Sequence, residues 1–176
     1  DHAADLYEIT QNMTTAAGLP AYEISNHAAL GQECRHNLTY WKSADWIGVG
    51  PGAHGRFATF DSEQNRVCRT ATMIRCSPSG WLDTVKKLGH GIEKKETNKP
   101  QDWAREMVMM GLRLKDGIHL DAIKALCGPV DHWLDFTNVY RCVEADWLHY
   151  DRAASRLSAT PDGRLRLNHI LSMILR

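Results

Sequence analysis

Residues 34–56 read CRHNLTYWKSADWIGVGPGAHGR, and the rest of the chain is organised around them. The stretch holds two of the nine histidines, two of the six tryptophans and four of the thirteen glycines. No other window of this size mixes ligand-type side chains, broad aromatic rings and backbone-exposing glycines so densely.

Its first half is His36-Asn37-x-x-Tyr40-Trp41, an imidazole and an amide followed by two large rings. A short helix over residues 37–43 puts Asn37 and Trp41 one turn apart, with His36 just before it beside Tyr40. Two readings stand. An imidazole next to aromatic faces suits a flat apolar cofactor such as haem, with a ring nitrogen as axial ligand. The plainer reading is a histidine that caps a turn, with Trp41 filling a core.

Its second half, Trp46 to Gly55, runs a short apolar strand into a glycine loop that permits positive φ and close backbone approach. Gly50, Gly52 and Gly55 fit the spacing G-x-G-x-x-G of a dinucleotide fingerprint. The context fails. That fingerprint needs a helix N-terminus to receive the pyrophosphate, whereas Arg56 to Ser62 reads as a strand and turn.

Working outward, 176 residues bound the chain to one or two domains. With 43% hydrophobic residues it can bury a core, and its 21 basic and 21 acidic residues cancel. No global field therefore draws nucleic acid or an acidic membrane. Five scattered cysteines suit a reducing cytoplasm better than a disulfide framework. No signal peptide and no span-length apolar run is visible, so the expectation is a cytoplasmic protein without a transmembrane segment.

Leu6, Ile9, Met13 and Ala16 mark a helix over residues 1–17, stopped by Gly18 and Pro20. Ala21 to Ser25 reads as a strand that delivers a polar loop to Arg35, and Trp46 to Val49 as the next strand. Helix, strand and functional loop in that rhythm suit a βα barrel, whose sites lie at strand C-terminal ends. Arg56–Phe60 and Arg66–Ile74 read as a hairpin turning through residues 61–65. Ser79 is the expected cap of a helix reaching Lys87. The charged residues 91–100 read as a solvated linker.

Beyond the linker, Trp103, Met107, Met110 and Leu114 repeat at helical spacing up to Gly117. Helices are expected at His119–Leu126 and 131–145, strands at Leu148–Tyr150 and Arg156–Ala159, and a closing helix at Arg164–Leu175. Three helices and a small β wing suggest a winged-helix-like module. A nucleic-acid role for it is disfavoured, because the third helix sets Asp131, Asp135, Glu144 and Asp146 against Arg141 alone, although the wing carries Arg152, Arg156, Arg164 and Arg166. No nucleic-acid partner is expected.

With YEISNHA, ECRHNLTYW, DWIGVGPGAHGR, MVMMGLRLKDGI and LSATPDGRLRLN all in view, the chain resembles the C-terminal half of the radical-SAM haem chaperones. These are the proteins also described as oxygen-independent coproporphyrinogen-III-oxidase-like. The resemblance covers nearly the whole chain. It implies that residues 1–90 are the last βα elements of an incomplete TIM-like barrel, joined by 91–100 to a winged-helix-like domain at 101–176. The fold class is thus α/β followed by mainly α.

The family's CxxxCxxC motif for a 4Fe–4S iron–sulfur cluster has no counterpart among Cys34, Cys68, Cys76, Cys127 and Cys142. The cluster and S-adenosylmethionine would belong to the full-length protein only, and no catalytic residue is assigned here. The resemblance implies a haem- or porphyrin-binding wall made by His36, Asn37, Tyr40 and Trp41, with His36 on the metal. Gly50, Gly52 and His54 would face S-adenosylmethionine at the barrel mouth, sharing one rim with His36. The partners implied are haem, the missing barrel half and a respiratory-chain haem acceptor. The alternative is part of a coproporphyrinogen III oxidase in porphyrin biosynthesis, with Arg35, Arg56 and Arg69 meeting the substrate's propionates.

Overall fold

The computed structural model describes residues 2–176. In chain order, α1 (His2–Ala16) and α2 (Arg35–Trp41) precede β1 (His54–Asp61), β2 (Arg66–Ile74), α3 (Pro78–Leu88) and β3 (Ile92–Asn98). They are followed by α4 (Pro100–Gly111), β4 (Ile118–His119), α5 (Leu120–Cys127) and α6 (Phe136–Glu144). β5 (Leu148–Asp151), β6 (Arg156–Ala159), α7 (Pro161–Leu165) and α8 (Leu167–Ile174) close the chain. It divides into two compact units, Ala44–Trp103 and the residues on either side of that segment.

The Ala44–Trp103 unit is built on an antiparallel sheet in the order β1-β2-β3. Asp61 starts the β1–β2 turn by accepting hydrogen bonds at one carboxylate oxygen from the amides of Glu63 and Gln64, at 3.0 and 3.1 Å. Asn65 completes it in the left-handed region at φ 48°, a conformation asparagine tolerates well. Along β2, Cys68, Thr70, Thr72 and Ile74 point to one buried face. On the other face Arg69 is only 1% exposed. Its guanidinium binds the Asp45 carboxylate and donates to the Ala44 carbonyl at 2.7 Å. The rings of Trp46 and Trp103 flank it at 5.5 and 5.9 Å.

In the other unit α4, α5, α6 and α8 pack around an apolar centre in which Val108, Trp133, Leu134, Val139, Leu157 and Ile170 are fully buried. Its sheet runs β4-β6-β5, all antiparallel. Glu23, 1% exposed, fastens the connection after α1. Its carboxylate accepts from the Ser25 amide at 3.1 Å and from the Asn26 side chain. A backbone bond from Lys115 N to Tyr22 O, 3.0 Å, ties this connection to the turn after α4.

Several expectations need correction. Residues 21–25 and 46–49 are not ladder strands. They make single bridges, Ala21 with His27, Glu23 with Leu114 and Trp46 with Arg56, because a strand exists only where a neighbour continues the pairing. No sheet among the described residues closes into a barrel. Residues 91–100 are not a loose linker. Ile92–Asn98 forms β3 against β2 with its charged side chains in solvent. The cap of α3 is Ser77 rather than Ser79, accepting from Gly80 N at 3.3 Å.

α4 ends at Gly111, not Gly117. The helix expected over 131–145 is split, because Asp135 caps α6 by accepting from Thr137 N and Asn138 N. A capping residue has extended backbone, so no helix runs through it. The closing helix is likewise two, with Thr160 capping α7 through Gly163 N at 3.0 Å.

Candidate functional site

The helix carrying the expected ligand residues is α2, one residue pair earlier than the sequence suggested. Its backbone closes through Leu38 N to Cys34 O at 3.0 Å and Lys42 N to Leu38 O at 2.9 Å, and Ser43 at φ 50° ends it. At about 100° per residue, His36 and Tyr40 share one face. Leu38, Trp41 and Lys42 share the opposite one. The four expected wall residues therefore do not act as one surface.

On the outer face His36 is exposed. Its ring meets Tyr40 edge-on, with centroids 4.8 Å apart and planes at 76°. The imidazole Nε2 lies 3.3 Å from Tyr40 Oη. That contact steadies the ring without burying it, the support a ligating histidine commonly receives. An exposed imidazole of this kind can serve as a ligand to a metal ion. Among the described residues, no group of three or more His, Cys, Asp and Glu side chains could hold a metal ion.

Asn37 and Trp41 hold α2 from within. Asn37 Nδ2 donates to Tyr22 Oη at 3.2 Å, and the Arg113 guanidinium covers Trp41 at 5.4 Å from the ring centroid. Trp41, Leu38 and Lys42 also line a cavity of about 570 Å³. α4 contributes Met107 to it, β4 and α5 contribute Ile118, His119 and Ile123, and β6 contributes Arg156. His36 and Tyr40 are not among its lining residues. Sequence reading missed this cavity because its walls come from five separated stretches, and Arg156 stood out only as a basic residue of a hairpin.

The glycine loop belongs to the Ala44–Trp103 unit, and His36 to the other. Gly50 and Gly52 take φ 93° and 72°, which a side chain would resist. Gly55 is needed for a different reason: a Cβ there would lie 2.6 Å from Thr72 Oγ1. The loop's amides serve the fold. Gly52 N donates to Arg75 O at 3.1 Å, and Ala53 N to Gly50 O at 3.3 Å. His54, exposed at the start of β1, is the ionisable side chain the loop presents. β1 follows directly, so the helix required for a pyrophosphate site is absent.

Of the three arginines considered for propionates, Arg69 is sealed inside its unit, Arg56 is half-buried and Arg35 is exposed. The cysteines are all free thiols. Burial pushes the Cys127 thiol up to about 11 and the Cys142 thiol upward as well, so both are neutral structural groups near neutral pH.

The family model of the HemN C-terminal domain matches residues 98–166. The mitochondrial radical S-adenosyl methionine domain-containing protein 1 of Bos taurus is 35% identical over 116 residues, 66% of this chain and 26% of that protein. The haem chaperone HemW of Escherichia coli is 30% identical over 174 residues, 97% of this chain and 42% of that protein. The chain thus spans between a quarter and a half of the length of these relatives. Among solved structures, the radical SAM coproporphyrinogen III oxidase HemN of Escherichia coli superposes with a TM-score of 0.68. That match covers 97% of this chain and 40% of the other at 14% identity, a likeness of fold.

Proposed function

We propose, for a chain that is HemN/HemW-like and carries a HemN C-terminal domain at residues 98–166, that it supplies a haem- or porphyrin-binding wall to a haem-handling protein. His36 is the residue that would bind the iron. One observation carries the reading: His36 is an exposed imidazole held edge-on by Tyr40 with its Nε2 3.3 Å from the phenol oxygen. The match to HemW along nearly the whole chain supports it. Bound haem would supply an iron centre, and His36 would hold it. Within the chain, Tyr40 orients the ring of His36, while Asn37 and Trp41 brace α2 through Tyr22 and Arg113.

The remaining proposals follow from the relatives' greater length. Leu6, Ile9 and Met13 of α1 are 51%, 51% and 68% exposed, and Ile47 and Val49 are 78% and 86% exposed. Apolar side chains this open suit faces covered by further barrel elements. That is the basis for treating residues 1–90 as the end of a radical-SAM barrel, with Gly50, Gly52 and His54 toward S-adenosylmethionine. The order α4, β4, α5, α6, β5, β6 supports the winged-helix-like reading of 101–176. A respiratory-chain acceptor and a cytoplasmic setting belong to the same proposal. No helix among the described residues is long and apolar enough to cross a membrane. The oxidase alternative keeps Arg35 and Arg56 as candidate propionate partners but loses Arg69, since a guanidinium sealed between two tryptophans cannot meet a propionate.

The test is haem titration of the chain and of His36→Ala, followed by Soret absorbance. The expected result is a changed Soret position and an affinity lowered at least about tenfold, as loss of a metal ligand's bond requires. An identical spectrum and affinity in the variant would remove His36 from the iron.

A further inference from the structure

The cavity behind α2 faces away from His36 and stands independently of the haem proposal. The geometry points to a second binding site there, one that takes a small molecule with an apolar body and a single carboxylate.

Its size is the first argument. About 570 Å³ lies within the range of small-molecule sites, roughly 300–1,000 Å³. The floor is the second. Leu38, Trp41, Met107, Ile118 and Ile123 line the space, and the half-buried Leu38, Trp41 and Met107 keep apolar surface open to it. An aliphatic or flat apolar body would displace water from such a surface favourably.

The polar end decides the ligand's charge. Arg156 donates from Nη1 to the Asp116 carbonyl at 3.1 Å and from Nη2 to His119 Nε2 at 2.6 Å. Arginine has no acceptor, so His119 Nε2 must accept, and its Nδ1 then carries the proton. Arg156 thereby uses two of five donors, on neutral acceptors, and makes no ion pair with a carboxylate among the described residues. A guanidinium held in place with spare donors is a carboxylate fork. Lys42 stands on the same lining. Glu33 and Asp116 also border the space, so the net charge is balanced and the preference comes from donors. The Glu33 carboxylate is engaged by the Gly31 amide at 3.2 Å. Two further donors of the wall, Trp41 Nε1 and Ser43 Oγ, have no hydrogen-bond partner.

The experiment uses the ¹⁵N-labelled chain titrated with octanoate, 1-octanol and octylammonium. Octanoate should shift the Trp41 indole and the Gly111 and Gly117 amides at millimolar concentration. Octanol should bind about tenfold more weakly, the worth of a charge-assisted bond. Arg156→Met should bring octanoate down to the octanol level. Ala122→Trp, made at an exposed lining position, should block both ligands while the rest of the spectrum stays folded. Equal affinity for octanoate and octanol, tighter binding of octylammonium, or no shift at these residues would each overturn the site.

Discussion

Two hairpins, β1–β2 and β5–β6, each reverse through four residues that begin after an aspartate and end before an arginine. In the first, Asp61 pairs across from Arg66; in the second, Asp151 pairs across from Arg156. Both aspartates accept backbone amides inside the turn, from Glu63 and Gln64 in one case and from Ala154 in the other. Both turns finish on a residue at positive φ, Asn65 at 48° and Ser155 at 50°. What the strands rest on differs. β5 and β6 send Leu148, Leu157 and Ala159 into an apolar core, whereas β2 buries Thr70, Thr72 and the charged Arg69. The comparison teaches that turn chemistry sets the register locally, while the flanking side chains decide whether a sheet is held by solvent exclusion or by directed bonds.

Four substitutions would break or sharpen that contrast. Leu157→Ala should cost the most, about 4 kcal/mol, because a fully buried leucine leaves a cavity that the core cannot collapse. Urea unfolding followed at the β5–β6 amides would measure it. Asp45→Ala strips the partner from a buried guanidinium and should cost about 3 kcal/mol. This sits at the low end for such a loss because the Asp45 side chain is itself 54% exposed. Hydrogen exchange should show the loss in β1 and β2 and leave β5 and β6 protected. Asp61→Ala and Asp151→Ala are the smallest, about 1 kcal/mol each for lost turn hydrogen bonds. Equal costs in the two hairpins would confirm that the turns act locally. A much larger cost at Asp151 would show that the apolar core depends on its turn.

The legible parts of this fold were those whose signal is local. A polar turn between two runs marked the first hairpin, two short runs marked the second, and helical spacing marked α1 and α4. β3 was not legible, because Glu-Lys-Lys-Glu in solvent on both faces carries no period of two. The break before α6 had its signal in Asp135, which sits where a capping residue should, but the surrounding periodicity masked it. At the candidate site the motif located α2 correctly. It could not show that His36 and Trp41 look in opposite directions, since that depends on a two-residue shift in where the helix starts. The cavity residues Lys42, His119 and Arg156 come together only through tertiary packing.

Among the described residues β3 pairs with β2 along one side only, so its other margin carries backbone groups without a ladder partner there. Glu93, Lys94, Lys95 and Glu96 line that ribbon, all of them open to water. A second copy approaching there to extend the sheet would have to strip solvent from a dense row of charges. The chain thereby guards itself against edge-to-edge association at the place where its longest sheet ends.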